Sequence, residues 1–173
     1  MKKLFAIVTV IALAAATFAQ KAGDKVSFSS KDMAGNAVTS DIFAKNKLTM
    51  VNIWGTFCPP CIREMPDLAK LNSANKSKGV EVVGIPIDIV DEEGNVVPYM
   101  KADGDAIIKQ TGADYTHVVP TKDMLDGVLR NIQAVPATIF VGKDGKIVGQ
   151  MYLGARSQKD WQKIIDSLLS KQK

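Results

Sequence analysis

The two cysteines of this chain lie three residues apart, where an apolar run gives way to a helical pattern. Residues 54–61 read Trp-Gly-Thr-Phe-Cys-Pro-Pro-Cys, and the 173 residues contain no other cysteine. Closing so short a loop removes little entropy from the unfolded chain, because that entropy grows with loop length. The pair Cys58 and Cys61 is therefore better suited to opening and closing than to stapling a fold. The spacing predicts redox chemistry.

Residues 1–19 have the layout of a secretory signal peptide. The basic pair Lys2-Lys3 precedes an apolar stretch over 4–16, and a small-x-small motif ends at Ala19. The apolar stretch is shorter than the roughly 20 residues that span a bilayer. We expect cleavage after Ala19 and a periplasmic or otherwise extracytoplasmic protein, and an uncleaved membrane anchor is the alternative.

The remaining residues, 20–173, have the length of one domain, which needs no disulfide to bury a core. The leader holds 2 of the 22 basic residues, so this domain carries 20 basic residues against 18 acidic ones, a net charge of +2. So small an excess favours neither nucleic acid nor an anionic membrane as a partner.

The predicted elements alternate between strands and helices, which indicates an α/β sandwich with a mixed sheet. The run 48–54 is apolar and β-branched, as in a central strand buried on both faces. Asp144-Gly145 favours a hairpin turn, and the turn-rich string at 32–36 predicts an N-terminal β-hairpin. The terminal helix has an apolar stripe that includes Trp161. Strands are expected at 48–54, 80–89, 137–141 and 147–151, helices at 59–78, about 105–111, 123–132 and after Ser157, and a less regular segment at 91–103.

The boundary between strand and helix places Cys58 at a helix N-terminus. Free backbone N–H groups and the helix dipole lower the pKa of a thiol there. We assign Cys58 as the nucleophile and Cys61, one turn further, as the thiol that resolves the mixed disulfide. Pro59 and Pro60 remove two N–H donors and leave mainly that of Cys61. The couple is therefore expected to act as a reductant rather than a strong oxidant.

The segment VNIWGTFCPPCIREMP at residues 51–66 resembles the active site of the TlpA/ResA-like branch of the thioredoxin superfamily. That branch shows an apolar strand with Asn, followed by W-x-x-W/F-C-x-x-C-x-x-E-x-P. Every position is present here: Asn52, Trp54, Phe57, Cys58, Cys61, Glu64 and Pro66. Residues 134–138 resemble the family's cis-proline segment. The likeness covers roughly 23–169 and departs at 91–103. It implies a thioredoxin-like fold, with a mixed central sheet flanked by helices and an N-terminal β-hairpin extension.

The resemblance also implies roles for residues around the dithiol. Pro136 would be cis, pack against the dithiol and leave the Val135 backbone free to bind an extended substrate; from the residues alone, a trans proline that begins a strand is the alternative. Trp54 and Phe57 are placed at the substrate side, where we expect them to cover the dithiol more than to touch substrate.

Glu64 has two interpretations. In the first, it accepts the proton of the Cys61 thiol, since Asn52 stands where many thioredoxins carry a buried acid. In the second, it is a solvated acid in the first helical turn, where a negative charge is favoured by the helix dipole.

Several other classes of site fit the residues less well. A zinc site needs about four ligands, and two thiols with His117 fall short; we expect His117 to be an ordinary strand-edge residue and the acidic stretch 88–95 to be solvated. A peroxiredoxin-like peroxidase needs Thr and Pro where this chain has Gly55 and Val51. A DsbA-like oxidase carries a large helical insertion, for which the interval before Pro136 leaves limited room. A binding module with an inert disulfide is the non-enzymatic alternative.

The sequence thus predicts an exported thiol–disulfide oxidoreductase that reduces protein disulfides. The resemblance implies electrons from a membrane thiol transporter of the CcdA or DsbD kind. It also implies oxidised protein clients, with apocytochrome c as one possibility. No dissociable cofactor or metal is implied, since the two sulfurs carry both electrons.

Overall fold

A computed structural model describes residues 21–171, so the signal peptide predicted at 1–19 lies outside the described residues. The strands are β1 (Ser29–Lys31), β2 (Ala37–Thr39), β3 (Leu48–Trp54), β4 (Val80–Pro86), β5 (Ala137–Gly142) and β6 (Ile147–Leu153). The α-helices are α1 (Pro59–Asn75), α2 (Pro98–Thr111), α3 (Lys122–Asp126) and α4 (Gln158–Ser170), with short 3-10 helices at Ser40–Lys45 and Lys76–Lys78.

The central sheet has four strands in the order β4-β3-β5-β6. Strand β3 pairs parallel with β4 and antiparallel with β5, so the sheet is mixed, as the sequence predicts. Every residue of β3 is buried, which fits its uninterrupted apolar and β-branched composition. The hairpin of β5 and β6 turns at Gly145, which has the positive φ of 75° that glycine tolerates.

The two faces of β3 belong to two different cores. Leu48, Met50 and Trp54 pack in a cluster with apolar residues of α1 and α4, and the dithiol belongs to that cluster. Val51 and Ile53 pack in a second cluster on the other face, with residues of the N-terminal segment and of α3. Side chains of a strand alternate between faces, so one strand supplies both cores.

The N-terminal extension is a two-stranded antiparallel sheet of β1 and β2, which confirms the predicted hairpin. Among residues 21–171, no helix combines the length and apolar character that crossing a bilayer requires.

The largest differences between predicted and observed boundaries lie in β4, α2 and α3. Strand β4 ends at Pro86 instead of residue 89, where proline brings no N–H to continue a ladder. Helix α2 begins at Pro98, well before the expected residue 105, with proline at its first position. Gly104 lies inside this helix and interrupts the helical pattern in the sequence, because glycine is a poor helix former. Helix α3 ends at Asp126, short of the expected residue 132.

Candidate active site

Cys58 and Cys61 form a disulfide of 2.05 Å at the N-terminus of α1. Cys58 is the N-cap residue, and its Sγ accepts a hydrogen bond of 3.2 Å from the backbone N–H of Cys61. Pro59 and Pro60 occupy the intervening positions and bring no N–H. One backbone donor therefore reaches the outer sulfur, as the two prolines predict.

The two sulfurs differ in access and in neighbours. Both cysteines are buried, with Cys58 4% exposed and Cys61 1% exposed, so Cys58 is the more accessible of the two. The Sγ of Cys58 lies 3.6 Å from the carbonyl oxygen of Val135. The bond between Val135 and Pro136 is cis, as the resemblance implies, and the structure brings this segment beside the dithiol.

Trp54 and Phe57 have opposite surroundings. Trp54 is fully buried in the same apolar cluster as the two cysteines, so it packs in the core around the dithiol. Phe57 is 66% exposed beside Cys58. Its ring lies back over Gly55, where a Cβ would approach Cε1 of the ring to 2.6 Å. Of the two aromatic residues, Phe57 alone is available to a docking partner.

The indole of Trp54 is fixed by His117. Its Nε1–H donates to Nδ1 of His117 at 3.2 Å, and Nε2 of His117 lies 2.9 Å from the carbonyl oxygen of Ala113. An indole nitrogen can only donate, so Nδ1 is the acceptor and Nε2 carries the proton. The imidazole stacks on Tyr115, with ring centroids 4.5 Å apart. Burial lowers the pKa of His117 to about 4, and the imidazole is therefore neutral.

His117 lies at the edge of the sheet, as the sequence predicts, because it forms a parallel bridge with Gly84 of the edge strand β4. Its burial and its bond to Trp54 were not predicted. It is 3% exposed, and it lies against Gly84 of β4, where a Cβ would come within 2.2 Å of Nδ1. A glycine in the interior of a strand often marks such a close approach. Gly84 was the sequence signal that could have revealed this packing.

Glu64 is buried, with 4% of its surface exposed, so its interpretation as a solvated acid is wrong. Its Oε1 accepts two hydrogen bonds, from the backbone N–H of Arg156 at 2.7 Å and from the indole N–H of Trp161 at 2.6 Å. Its Oε2 has no hydrogen-bond partner among the described residues. Burial raises the pKa of Glu64, although the hydrogen bonds from Arg156 and Trp161, the charge of Arg156 and the side chain of Asn52 oppose the rise. A buried carboxyl with a raised pKa is suited to take up a proton.

The loop before Cys58 is held by Asp88. The backbone N–H of Thr56 lies 3.1 and 3.0 Å from the two carboxylate oxygens of Asp88, and the Thr56 hydroxyl also donates to it. Asp88 is half-buried, and Ile89 and Val90 are buried, so the expectation that the stretch 88–95 is solvated is wrong for its first three residues. A residue that follows a strand and bonds to a distant loop leaves no local pattern in sequence.

Within residues 21–171, no group of three or more His, Cys, Asp or Glu side chains is arranged to hold a metal ion.

Comparison with known proteins assigns the family. A family model described as Redoxin matches residues 21–165. This chain belongs to the Redoxin family. Two relatives of this Redoxin protein carry the name thiol-disulfide oxidoreductase ResA. The one from Halalkalibacterium halodurans is 28% identical over 137 residues, which are 74% of this chain and 66% of that protein. The one from Bacillus thuringiensis subsp. konkukian is 30% identical over 128 residues, which are 69% and 62% of the two chains. The matched region thus spans less than two thirds of either relative.

Solved structures agree on the fold of this Redoxin protein. A thiol:disulfide interchange protein from Chlorobium tepidum has a TM-score of 0.70 at 24% identity, with 86% of this chain and 97% of that one covered. A thiol:disulfide interchange protein from a Bacteroides species has a TM-score of 0.67 at 25% identity, with 86% and 91% covered. These findings confirm the thioredoxin-like fold and the resemblance to ResA-like proteins.

Proposed function

We propose that this protein is an exported thiol–disulfide oxidoreductase that reduces protein disulfides through Cys58 and Cys61. The observation that carries the proposal is the position of the two sulfurs. They join at a helix N-terminus, where one backbone N–H reaches Cys58 Sγ, and they lie beside the cis bond of Val135 and Pro136. The names of the ResA relatives support the same reaction class.

Reduction proceeds in two exchange steps. The Cys58 thiolate attacks one sulfur of a client disulfide, forms a mixed disulfide and releases the first client thiolate. Cys61 then gives its proton to Glu64, and the resulting thiolate attacks Sγ of Cys58. The second client thiolate leaves, the Cys58–Cys61 disulfide closes, and the client has gained two electrons.

Glu64 is assigned as the proton acceptor because of its surroundings. Its Oε1 is occupied by two N–H donors, so a proton is accepted at Oε2. It lies three residues after Cys61 on α1, which places the two side chains on one face of the helix. Replacement by glutamine removes the base and keeps an acceptor oxygen for the two donors.

Partners and location complete the proposal. Residues 1–19 act as the signal peptide, and the domain of residues 20–173 works outside the cytoplasm. A membrane thiol transporter of the CcdA or DsbD kind reduces the disulfide again, and oxidised proteins such as apocytochrome c are the clients. Val135 and Phe57 flank Cys58, and they form the surface that meets an extended client segment.

The test compares two serine variants whose substituted cysteines lie one helical turn apart. Cys58→Ser should abolish the reduction of insulin, because no thiolate remains to attack. Cys61→Ser should accumulate mixed disulfides, because nothing resolves them, and these can be trapped from the native host. Equal activity of the two variants would refute the assigned roles.

The direction of electron flow has its own measurement. With one N–H donor on Cys58 Sγ, the thiolate is only moderately stabilised, and the reduction potential should lie nearer to ~−270 mV than to the ~−120 mV of a strong oxidase. A potential near the ~−120 mV of a strong oxidase would indicate that the protein oxidises its clients instead of reducing them.

A further inference from the structure

The turn of residues 153–157, between β6 and α4, hydrogen-bonds to two separate parts of the site. The N–H of Gly154 donates to the carbonyl oxygen of Pro136 at 2.8 Å. The N–H of Arg156 donates to Oε1 of Glu64 at 2.7 Å. The conformation of this turn therefore decides how the cis-proline and the buried carboxyl are held beside the dithiol.

The side chain of Arg156 folds back onto the same turn. Its Nη1 donates to the carbonyl oxygens of Leu153 and Gly154, at 3.1 and 2.8 Å. A guanidinium is planar and presents its donors in fixed directions, whereas a lysine ammonium is a point charge on a flexible stem. These two bonds fix the turn from which the Arg156 N–H reaches Glu64.

The same guanidinium contacts the second donor to Glu64. Its Cζ lies 5.0 Å from the ring centroid of Trp161 and 5.3 Å from that of Tyr152. A cation at this distance is attracted to the face of an aromatic ring. The indole N–H of Trp161 donates to Oε1 of Glu64 at 2.6 Å. One arginine side chain thus holds both donors of the buried carboxyl.

Several elements bring titratable, charged or polar groups toward Glu64. These groups are Cys61 on α1, Asn52 on β3, Tyr115 after α2, Arg156 on the turn, and Trp161 on α4. Arg156 carries the positive charge of this set. Burial raises the pKa of Glu64, and the bonds from Arg156 and Trp161, the Arg156 charge and the Asn52 side chain lower it.

We infer that Arg156 is a positioning residue for the resolving step, because its side chain fixes the two donors that hold the Glu64 carboxylate in place to accept the Cys61 proton. The inference rests on the proposed role of Glu64 as proton acceptor. The two donors occupy Oε1 and leave Oε2 to take the proton. Donors and a positive charge both favour the carboxylate over the carboxyl, so Glu64 stays charged to a lower pH.

Loss of the guanidinium should change the pH dependence of closure in a way that loss of packing would not. The pKa of Glu64 should rise by about one unit, the effect of one hydrogen bond to a charged group. Glu64 must be charged to take the proton, so the low-pH limb of the closing rate moves up by about one pH unit. Above that limb closure should be at least as fast as in the wild type, because a carboxylate with a higher pKa is a stronger base.

The first test compares Arg156→Gln with Arg63→Gln. Both variants lose one positive charge, but Arg63 is exposed on α1, next to Glu64 in the chain. Reduced protein is mixed with excess oxidised glutathione, and the closing phase, whose rate does not depend on glutathione concentration, is followed by tryptophan fluorescence across pH. Arg156→Gln should close about tenfold more slowly below the low-pH limb and no more slowly above it. Arg63→Gln should match the wild type.

Two results of this test would overturn the inference. The first is a profile for Arg156→Gln that superimposes on the wild type. The second is a uniform slowing at every pH, which would show that Arg156 acts through packing. In a Glu64→Gln background no carboxyl remains to titrate, so Arg156→Gln should cause no further change there, and an equal slowing in that background would also overturn the inference.

Arg156→Lys separates the guanidinium from its charge. Lysine keeps the positive charge but lacks the planar group that bonds to two carbonyl oxygens and lies over Trp161. The low-pH limb should therefore remain shifted upward in this variant. A wild-type profile for Arg156→Lys would assign the effect to charge alone and overturn the positioning role.

A titration of the oxidised protein tests the contacts without any activity. The carbon-13 shift of the Glu64 carboxyl should have a midpoint about one pH unit higher in Arg156→Gln than in the wild type. In the wild type, the indole N–H proton of Trp161 should follow the Glu64 midpoint, because it donates to the titrating group. A flat indole shift, or a Glu64 midpoint that Arg156→Gln leaves unchanged, would overturn the inference. Failure to reduce insulin would instead refute the proposed function, and would leave this titration unaffected.

Discussion

Lowering the pH from 7 to 4.5 should destabilise the fold through His117, the single histidine of the chain. Its Nδ1 accepts from the Trp54 indole, and its Nε2 lies 2.9 Å from the Ala113 carbonyl oxygen. A second proton would place an N–H against the indole N–H, two donors facing each other. The native state therefore resists protonation, whereas the imidazole in the unfolded chain accepts a proton readily.

The size of the effect follows from the two pKa values. The pKa of His117 is about 4 in the folded protein, against an ordinary value of 6.5. Between these values the unfolded chain binds a proton that the native protein does not, so the free energy of unfolding falls as the pH falls. From pH 7 to 4.5 this linkage amounts to about 2 kcal/mol, a large share of the stability of one domain. Above pH 6.5 the stabilisation is fully present.

The assay is urea unfolding of the oxidised protein at several pH values, with His117→Gln as the matched variant. Glutamine offers an acceptor oxygen and an N–H donor but does not titrate. The raised pKa of Glu64 acts with the opposite sign, since acidification neutralises a buried charge, but Glu64 is present in both proteins and cancels in the comparison. The wild type should lose about 2 kcal/mol more than the variant between pH 7 and 4.5. Parallel pH dependences would refute the reasoning.

Two further predictions concern residues that pack against or hydrogen-bond to the segment of residues 54–58. Gly84→Ala should lower the free energy of unfolding by about 1–3 kcal/mol, because the new Cβ would lie 2.2 Å from a nitrogen of the buried imidazole. In the control Gly104→Ala, the Cβ lies inside a helix and meets a flexible methionine methyl at 3.2 Å, so the free energy of unfolding should stay the same or rise. Equal urea midpoints for the two variants would contradict the clash at residue 84. Asp88→Ala should slow insulin reduction several-fold, because Thr56 loses its hydrogen bonds to the Asp88 carboxylate. The control Asp91→Ala removes hydrogen bonds only within its own turn and should leave the rate unchanged. Equal rates for the two variants would show that the bonds to Asp88 are not needed.

The strand–dithiol–helix unit could be predicted because its signals are local. The apolar run of β3, the prolines that open α1 and the glycine that ends the helix pattern at residue 79 each act over a few residues. The terminal helix was equally clear, since Ser157 caps it as predicted. Its stripe identified Trp161 as a core residue, but not as a donor to Glu64.

The surroundings of the site could not be predicted, because they depend on contacts between distant residues. The bonds from Arg156 and Trp161 to Glu64 join residues 92 and 97 positions apart. The bond between Trp54 and His117 joins residues 63 positions apart. No periodicity records such pairs, and a carboxyl near a helix start has the same sequence pattern whether it is solvated or buried.

Residues 54, 56 and 58, which alternate along the segment that ends in Cys58, are each fixed by a contact with a distant residue. His117 holds the indole of Trp54, Asp88 holds Thr56, and Cys58 caps α1 beside Val135. The intervening Phe57 is left 66% exposed. Since the three holding residues come from 88–135, the motif supplies the reacting sulfurs, while the chain between the dithiol and the cis-proline fixes how they are presented. A substitution in that interval can therefore change the rate of exchange without altering any residue of the C-x-x-C motif.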